Sequence, residues 1–347
     1  MRACVVVCSV VLFVLGIVPG WSGETRLPLL DVRAQMDATR VDLDPRSPQR
    51  RRVGQLLFLG GVALTSRDPA FGGFSALAVD GDRFTLLSDG GNVVRFRMGA
   101  DWRPHALVFS NLPAGPGTGW DKRDRDSESL AVDPATGRLW VGFENSDAIW
   151  RYAPGFARAE AQVVPPAMAA WPNNGGPESL ARLPGGRFVA IGEVPHVPPR
   201  AWAGSEAARL HTRDARVFFG DPTAPGLRQA RFAYVPFGRY DPADAAALPN
   251  GDLLVLDRRF ALPFHWSNRL SVVPAATIGA GRVARGRLIA TLDAPLIHDN
   301  FEGVAVTREG ADTILWLVSD DNQLPIQRSL LLKFRLETRM PKARSPR

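Results

Sequence analysis

Five stretches of this 347-residue chain repeat one design: a short apolar strand, a turn rich in Gly, Pro, Asp or Asn, and a second apolar strand that ends in a charged group. They are "FSALAVDGDRFTLLSDGGN", "SESLAVDPATGRLWVGFEN", "PESLARLPGGRFVAIGE", "DAAALPNGDLLVLDRR" and "FEGVAVTREGADTILWLVSDDN". The matching positions Ser75, Glu128, Glu178, Asp244 and Glu302 stand 53, 50, 66 and 58 residues apart. Intervals of that size hold about four strands each, the unit of a propeller blade. Further apolar strands fill the gaps, but the fifth hairpin is followed only by "SLLLKFRL". The spare strand within Gly54 to Leu64 is expected to pair with it and close the ring. The expected fold is therefore an all-β propeller over residues 54–336, with five blades, or six if the longest interval holds one more. A β-sandwich accounts for the strands and turns but not for the repeated order of acid, strand, turn, strand and acid.

In such a hairpin the start of the first strand meets the end of the second at one face of the propeller. Counting back from the turns puts Glu128 beside Glu144, Glu178 near Glu193, Asp244 near Asp257, Glu302 near Asp320 and Ser75 near Asp89. The open ends of the hairpins are thus expected to ring a channel mouth with carboxylates. Crowded carboxylates repel one another, so their pKa values rise or they hold a cation. Oxygen donors without His or Cys suit calcium, with magnesium as the alternative. The expected metal ligands are Glu128, Glu178, Glu302, Asp320, Asp89, Glu144 and Glu193, with Asn174, Asn300 and Asn322 adding amide oxygens and "DKRDRDSE" bringing more acids. Acids at strand ends also cap turns and keep a face wet. The pattern E-[SG]-[LV]-A at three matching positions favours a shared role and makes Glu128, Glu178 and Glu302 the catalytic candidates.

Arg258 and Arg259 follow Asp257, where a guanidinium fork either grips a phosphate or carboxylate or neutralises its neighbours. With Asn174 and Asn300 they form the expected substrate-binding set. His196 and His298 lie near acidic strand ends and are secondary candidates for proton transfer. No G-x-S-x-G elbow occurs, which leaves a serine-esterase triad without support. Trp140, Trp150 and Trp316 fall inside strand patterns and read as core.

The first 23 residues carry one Arg, an apolar run and a Pro-Gly break, the layout of a secretory signal, with an uncleaved anchor as the alternative. The expected locations are the periplasm or the exterior. Both cysteines, Cys4 and Cys8, lie in that segment, which excludes thiol chemistry and Cys-ligated zinc from the remainder. Net charge is +7, carried almost wholly by Arg. The basic clusters sit in an expected polar linker, 24–53, and tail, 337–347, so no nucleic acid partner is expected. A monomer acting on a small molecule, with no membrane span once the signal is removed, is the expected form.

The motifs "GGFSALAVD", "DSESLAVDPATGRLWVGFEN", "GGPESLARLPGGRFVAIGE", "LVLDRRF" and "NFEGVAVTREG" with "LWLVSDDN", in that order, resemble the phytase-like family, also called "esterase-like activity of phytase". The resemblance spans roughly Gly54 to Leu336. It implies an exported propeller that hydrolyses phosphate esters or other esters. Calcium-dependent propeller phytases hold calcium with clustered acids and phosphate with basic side chains. This chain has only three lysines, Lys122, Lys333 and Lys342, which argues against inositol hexakisphosphate as substrate. A non-catalytic binding propeller of the cell envelope and a lactonase-type propeller are the competing readings.

Overall fold

A computed structural model of the protein describes residues 27–169, 171–172, 175–195 and 212–337. The expected signal 1–23, Asn174, His196 and the tail beyond residue 337 lie outside the described residues.

The strands form five antiparallel-based sheets. The first blade is Phe74–Asp80, Arg83–Ser88, Asn92–Met98 and Pro104–Asn111, and the second is Ser127–Val132, Leu139–Phe143, Ala148–Tyr152 and Ala159–Val163. The third is Ser179–Arg182, Phe188–Pro195, Arg213–Phe218 and Gln229–Val235; the fourth is Asp241–Ala247, Leu253–Ala261, His265–Val273 and Arg287–Leu292. The fifth is Asn300–Glu309, Asp312–Asp320, Ser329–Leu336 and, from the other end of the sequence, Leu56–Thr65. Innermost strands of successive blades pack on one another, the fifth on the first, so the sheets form the ring of a five-bladed propeller.

Closure follows the expectation from sequence: Leu56–Thr65 pairs antiparallel with Ser329–Leu336, from Leu64 opposite Ser329 to Leu56 opposite Leu336. The segment expected as a polar linker does more than connect. Asp37–Arg40 pairs with Leu56–Thr65, and Leu43 is buried among the leucines of the fourth and fifth blades. Conversely, Val283–Arg285, between the last two strands of the fourth blade, adds a parallel strand to the third.

Each seam between neighbouring blades is one apolar cluster. Leu87 and Val93 meet Val141 and Phe143 between the first two blades, and Trp140 and Ile149 meet Phe188 and Phe218 at the next seam. Tyr234 and Val217 meet Val255 and Val273, Leu254 and Leu270 meet Leu317 and Leu332, and Trp316 and Leu331 meet Phe84 and Leu86. A side chain of this size contributes roughly 1.5–3 kcal/mol when fully buried. Trp140 and Trp316 are buried in these seams, as the strand pattern implied.

A register irregularity recurs where the chain enters a blade. Ser75, Glu128 and Glu302 are each passed over in the pairing of their hairpin, and so is Ala243 in the fourth blade. Such bulges bend the strand and re-aim the side chain at the extra residue. The matching position in the fourth blade is therefore Ala243, and the expected equivalence of Asp244 is off by one. Asp244 takes the place of Ser129 and Gly303, which face the next blade: Ser129 Oγ donates to Pro177 O at 2.5 Å, and Asp244 accepts from Val304 N at 2.8 Å.

Candidate functional site

The end of the ring at which the hairpins open holds a cavity of about 490 Å³. Its wall contains the carboxyls of Asp89, Asp126, Glu128, Glu144, Glu178, Glu193, Asp241, Glu302 and Asp320 against three cations, Lys122, Arg258 and Arg259. Asn300 and Asn322 also line it, so every expected metal ligand and substrate-binding residue that is described reaches this one cavity.

The second and third blades bring their acids closest together. A Cβ on Gly176 would lie 2.6 Å from Glu144 Cα, so only glycine lets the chain entering the third blade press against the end of Leu139–Phe143. That approach joins two triads, Asp126, Glu128, Glu144 and Glu144, Glu178, Glu193, and within each triad one oxygen from every carboxylate lies within 4.8 Å of the others. Asp126 arrives on a loop. Asp121 caps the single helical turn Lys122–Arg125, which sets Lys122 and Asp126 four residues apart on one side. Lys122 Nζ then lies 2.6 Å from Asp89 and 3.8 Å from Asp126, and the Asn145 amide donates to Asp126.

Arg258 holds the opposite side. Its guanidinium donates to Glu302, to Glu193 at 2.9 Å and to Asn300 Oδ1 at 3.4 Å, with Glu178 4.0 Å away. Asn300 in turn donates to Glu302 at 2.7 Å. Arg259 lines the cavity without such partners: it is exposed, lies 5.2 Å over the Tyr240 ring, and makes no ion pair among the described residues.

The titration behaviour records the crowding. Burial first, and then Asp126 and Glu193, push the Glu144 carboxyl up to about 7. Burial and then Asp89 push Asp320 up to about 7, although the Asn322 N–H donates to it. Glu128 and Glu178 are driven well above the ordinary carboxyl range, by withdrawal from water and then by Asp126 and by Glu193 respectively. Against the penalty of burial, Glu193 and Glu178 hold Arg258 charged, its pKa raised. A hard divalent cation fits this donor set: both triads are all-oxygen, and among the described residues neither His nor Cys lines the cavity.

Besides Asp244, which is held on Val304 N–H, two expected members lie elsewhere. Asp257 is sealed between the third and fourth blades, where the Tyr234 hydroxyl meets both its oxygens at 2.8 Å. His298 lies off the cavity, its Nδ1 at 2.7 Å from Leu296 O and its ring 5.1 Å from His265. Lys122, Asp241, Phe260 and Trp266 reach the mouth without having been singled out from sequence. The signal for the last two was the long aromatic stretch "RRFALPFHW".

A five-bladed propeller with a carboxylate-lined channel mouth is the class that fold and site define. Residues 69–323 match the family described as phytase-like, esterase-like activity of phytase, and the chain belongs to that family. No curated protein matches the sequence. Among solved structures it is similar to a luciferin-regenerating enzyme at 13% identity and TM-score 0.42, over 91% of this chain and 95% of the other. A glutaminyl cyclase from Myxococcus xanthus is similar at 12% identity and TM-score 0.42, over 77% and 91%. At such TM-scores neither likeness bears on what this chain does. No helix among the described residues is long and apolar enough to cross a membrane.

Proposed function

We propose that the protein is an exported hydrolase of phosphate esters or other esters, working at the channel mouth with a divalent cation, calcium or else magnesium, among its carboxylates. The observation that carries this reading is the nine carboxyls facing three cationic side chains around one cavity of about 490 Å³. Such a surplus is tolerated only when protons or cations offset it. Asp126, Glu128, Glu144, Glu178 and Glu193 would hold the cation, with Glu302 and Asp320 beside them. Bound there, it supplies Lewis-acid polarisation and charge neutralisation.

The reaction adds water across the ester. The water oxygen bonds to phosphorus or acyl carbon, the bond from that atom to the alcohol oxygen breaks, and the alcohol leaves with a proton. Arg258 keeps Glu302, Glu193 and Glu178 drawn together. Arg259, without an ion pair among the described residues, is the cation available to an anionic substrate oxygen.

The test is hydrolysis of a panel of phosphate monoesters, diesters, carboxylic esters and lactones, with calcium and with chelator, by the wild type and by Glu178→Gln. Turnover that requires calcium and drops roughly a hundredfold in the variant is expected. A folded wild type that is silent on the whole panel would make it a binding propeller instead.

A further inference from the structure

The fourth blade differs from its neighbours at the mouth. Its middle strands, Leu253–Ala261 and His265–Val273, run nine residues each and carry their hairpin beyond the carboxylates. Arg258 and Phe260 stand two apart on one strand and share a face. Phe260 pairs with Trp266 across the hairpin, with ring centroids 4.8 Å apart. Both rings line the same cavity as the carboxylates, and Phe260 is nonetheless 43% exposed. Phe264, at the turn, packs 6.2 Å from Phe260 and is 66% exposed with a φ of 135°, a conformation costly for a residue with a Cβ. An exposed ring packed on a half-buried one at the edge of a polar cavity marks a binding surface.

Charge selects what can lie on it. Nine carboxyls line the mouth against three cationic side chains, and a divalent cation in each triad would still leave fewer positive charges than carboxyls. Arg258 is taken up by Glu302 and Glu193. A polyanion therefore meets repulsion, whereas one anionic group can reach Arg259 while an apolar group covers the rings.

We infer that Phe260 and Trp266 form an apolar subsite that selects esters with an aryl or other bulky apolar group and a single phosphoryl or acyl centre, against small polar and polyphosphorylated esters. This rests on the hydrolase reading for its chemistry but not for its geometry. Phe260 and Trp266 are specificity residues: they grip the part of the substrate that does not react, so their removal acts mainly on KM.

The experiment compares kcat/KM for phenyl and methyl phosphate, and for phenyl and methyl acetate, in the wild type, Phe260→Ser, the conservative Phe260→Leu and Leu262→Ser. Leu262 is 86% exposed at the hairpin turn and does not line the cavity. In Phe260→Ser the phenyl-to-methyl ratio should fall roughly three- to tenfold, mostly through KM, with partial recovery in Phe260→Leu. In Leu262→Ser it should stay at the wild-type value. A ratio unchanged in Phe260→Ser, or lowered equally in Leu262→Ser, overturns the subsite while hydrolysis stands. If the wild type hydrolyses nothing, the hydrolase reading fails separately. Calorimetric titration with phenylphosphonate and methylphosphonate in calcium then decides: tighter phenylphosphonate binding that Phe260→Ser abolishes supports the subsite, and equal or no binding overturns it.

Discussion

The fourth blade and its four siblings use the same hairpin to opposite ends. In the other blades the strand ends send Asp89, Glu128, Glu144, Glu178, Glu193, Glu302 and Asp320 to the mouth. In the fourth, the bulged position is Ala243, and Asp244 and Asp257 turn inward as neighbours of apolar seams. What that blade gives the mouth from its second and third strands is Arg258, Arg259, Phe260 and Trp266. Both groups of carboxyls resist ionisation, for different reasons. Burial alone raises Asp244, opposed by two backbone N–H donors, and burial raises Asp257 to about 7 against the Tyr234 hydroxyl. At the mouth, neighbouring carboxylates add to burial. A sealed acid with neutral donors holds blades together, whereas a crowded acid at an opening holds a charge in waiting.

Three measurements break or sharpen this contrast. The largest stability effect belongs to Asp244→Ala, which leaves the buried Val304 N–H without its acceptor. The loss should be roughly 2–3 kcal/mol in denaturant titration, equal with calcium or chelator. A loss that calcium abolished would move Asp244 to the mouth group.

Next is Glu144→Gln, the member common to both triads. Calcium affinity by calorimetry should fall roughly 10- to 100-fold. Chelated, the variant should melt no lower than the wild type, since one like charge is gone. At a hundredfold excess over Kd the wild type should gain about 2.7 kcal/mol from calcium. Absence of any calcium effect on the wild type would remove the distinction between the groups.

The last is the pH dependence of the chelated protein. Asp257, Glu144 and Asp320 hold protons in the fold up to about 7 and release them on unfolding, where carboxyls titrate in their ordinary range. Each therefore stabilises the fold fully at low pH and loses that contribution as pH rises through about 7, so Tm should decline from pH 5 to 8. Calcium should restore the share of the mouth acids but not that of Asp257. In Asp257→Asn the remaining decline with calcium should be shallower; an identical slope would show that Asp257 does not titrate there.

The hairpin repeat made the blades, the ring closure and most of the mouth legible, because strand alternation and turn residues act locally. What stayed hidden depended on register. A one-residue bulge decides whether Ala243 or Asp244 sits at the channel end of its strand, and "DAAALP" reads the same either way. Alternation along Leu253–Ala261 then sends Asp257 and Arg258 to opposite sides, so the acid counted toward the mouth is inside and the cation takes its place. Lys122 depended on a single capped turn, whose placement against Asp89 is a long-range contact. The approach of Glu144 to Glu178 depended on Gly176, one glycine among 33 in the chain.

The joining of Leu56–Thr65 to Ser329–Leu336 also orders events during synthesis. The first four blades can be completed as they emerge, but the propeller's earliest strand must wait, unpaired at one edge, for its last. The mouth takes residues from every blade, so it comes into existence only when that strand docks. A chain cut short anywhere before residue 329 is an arc rather than a ring, and an arc has no mouth to load.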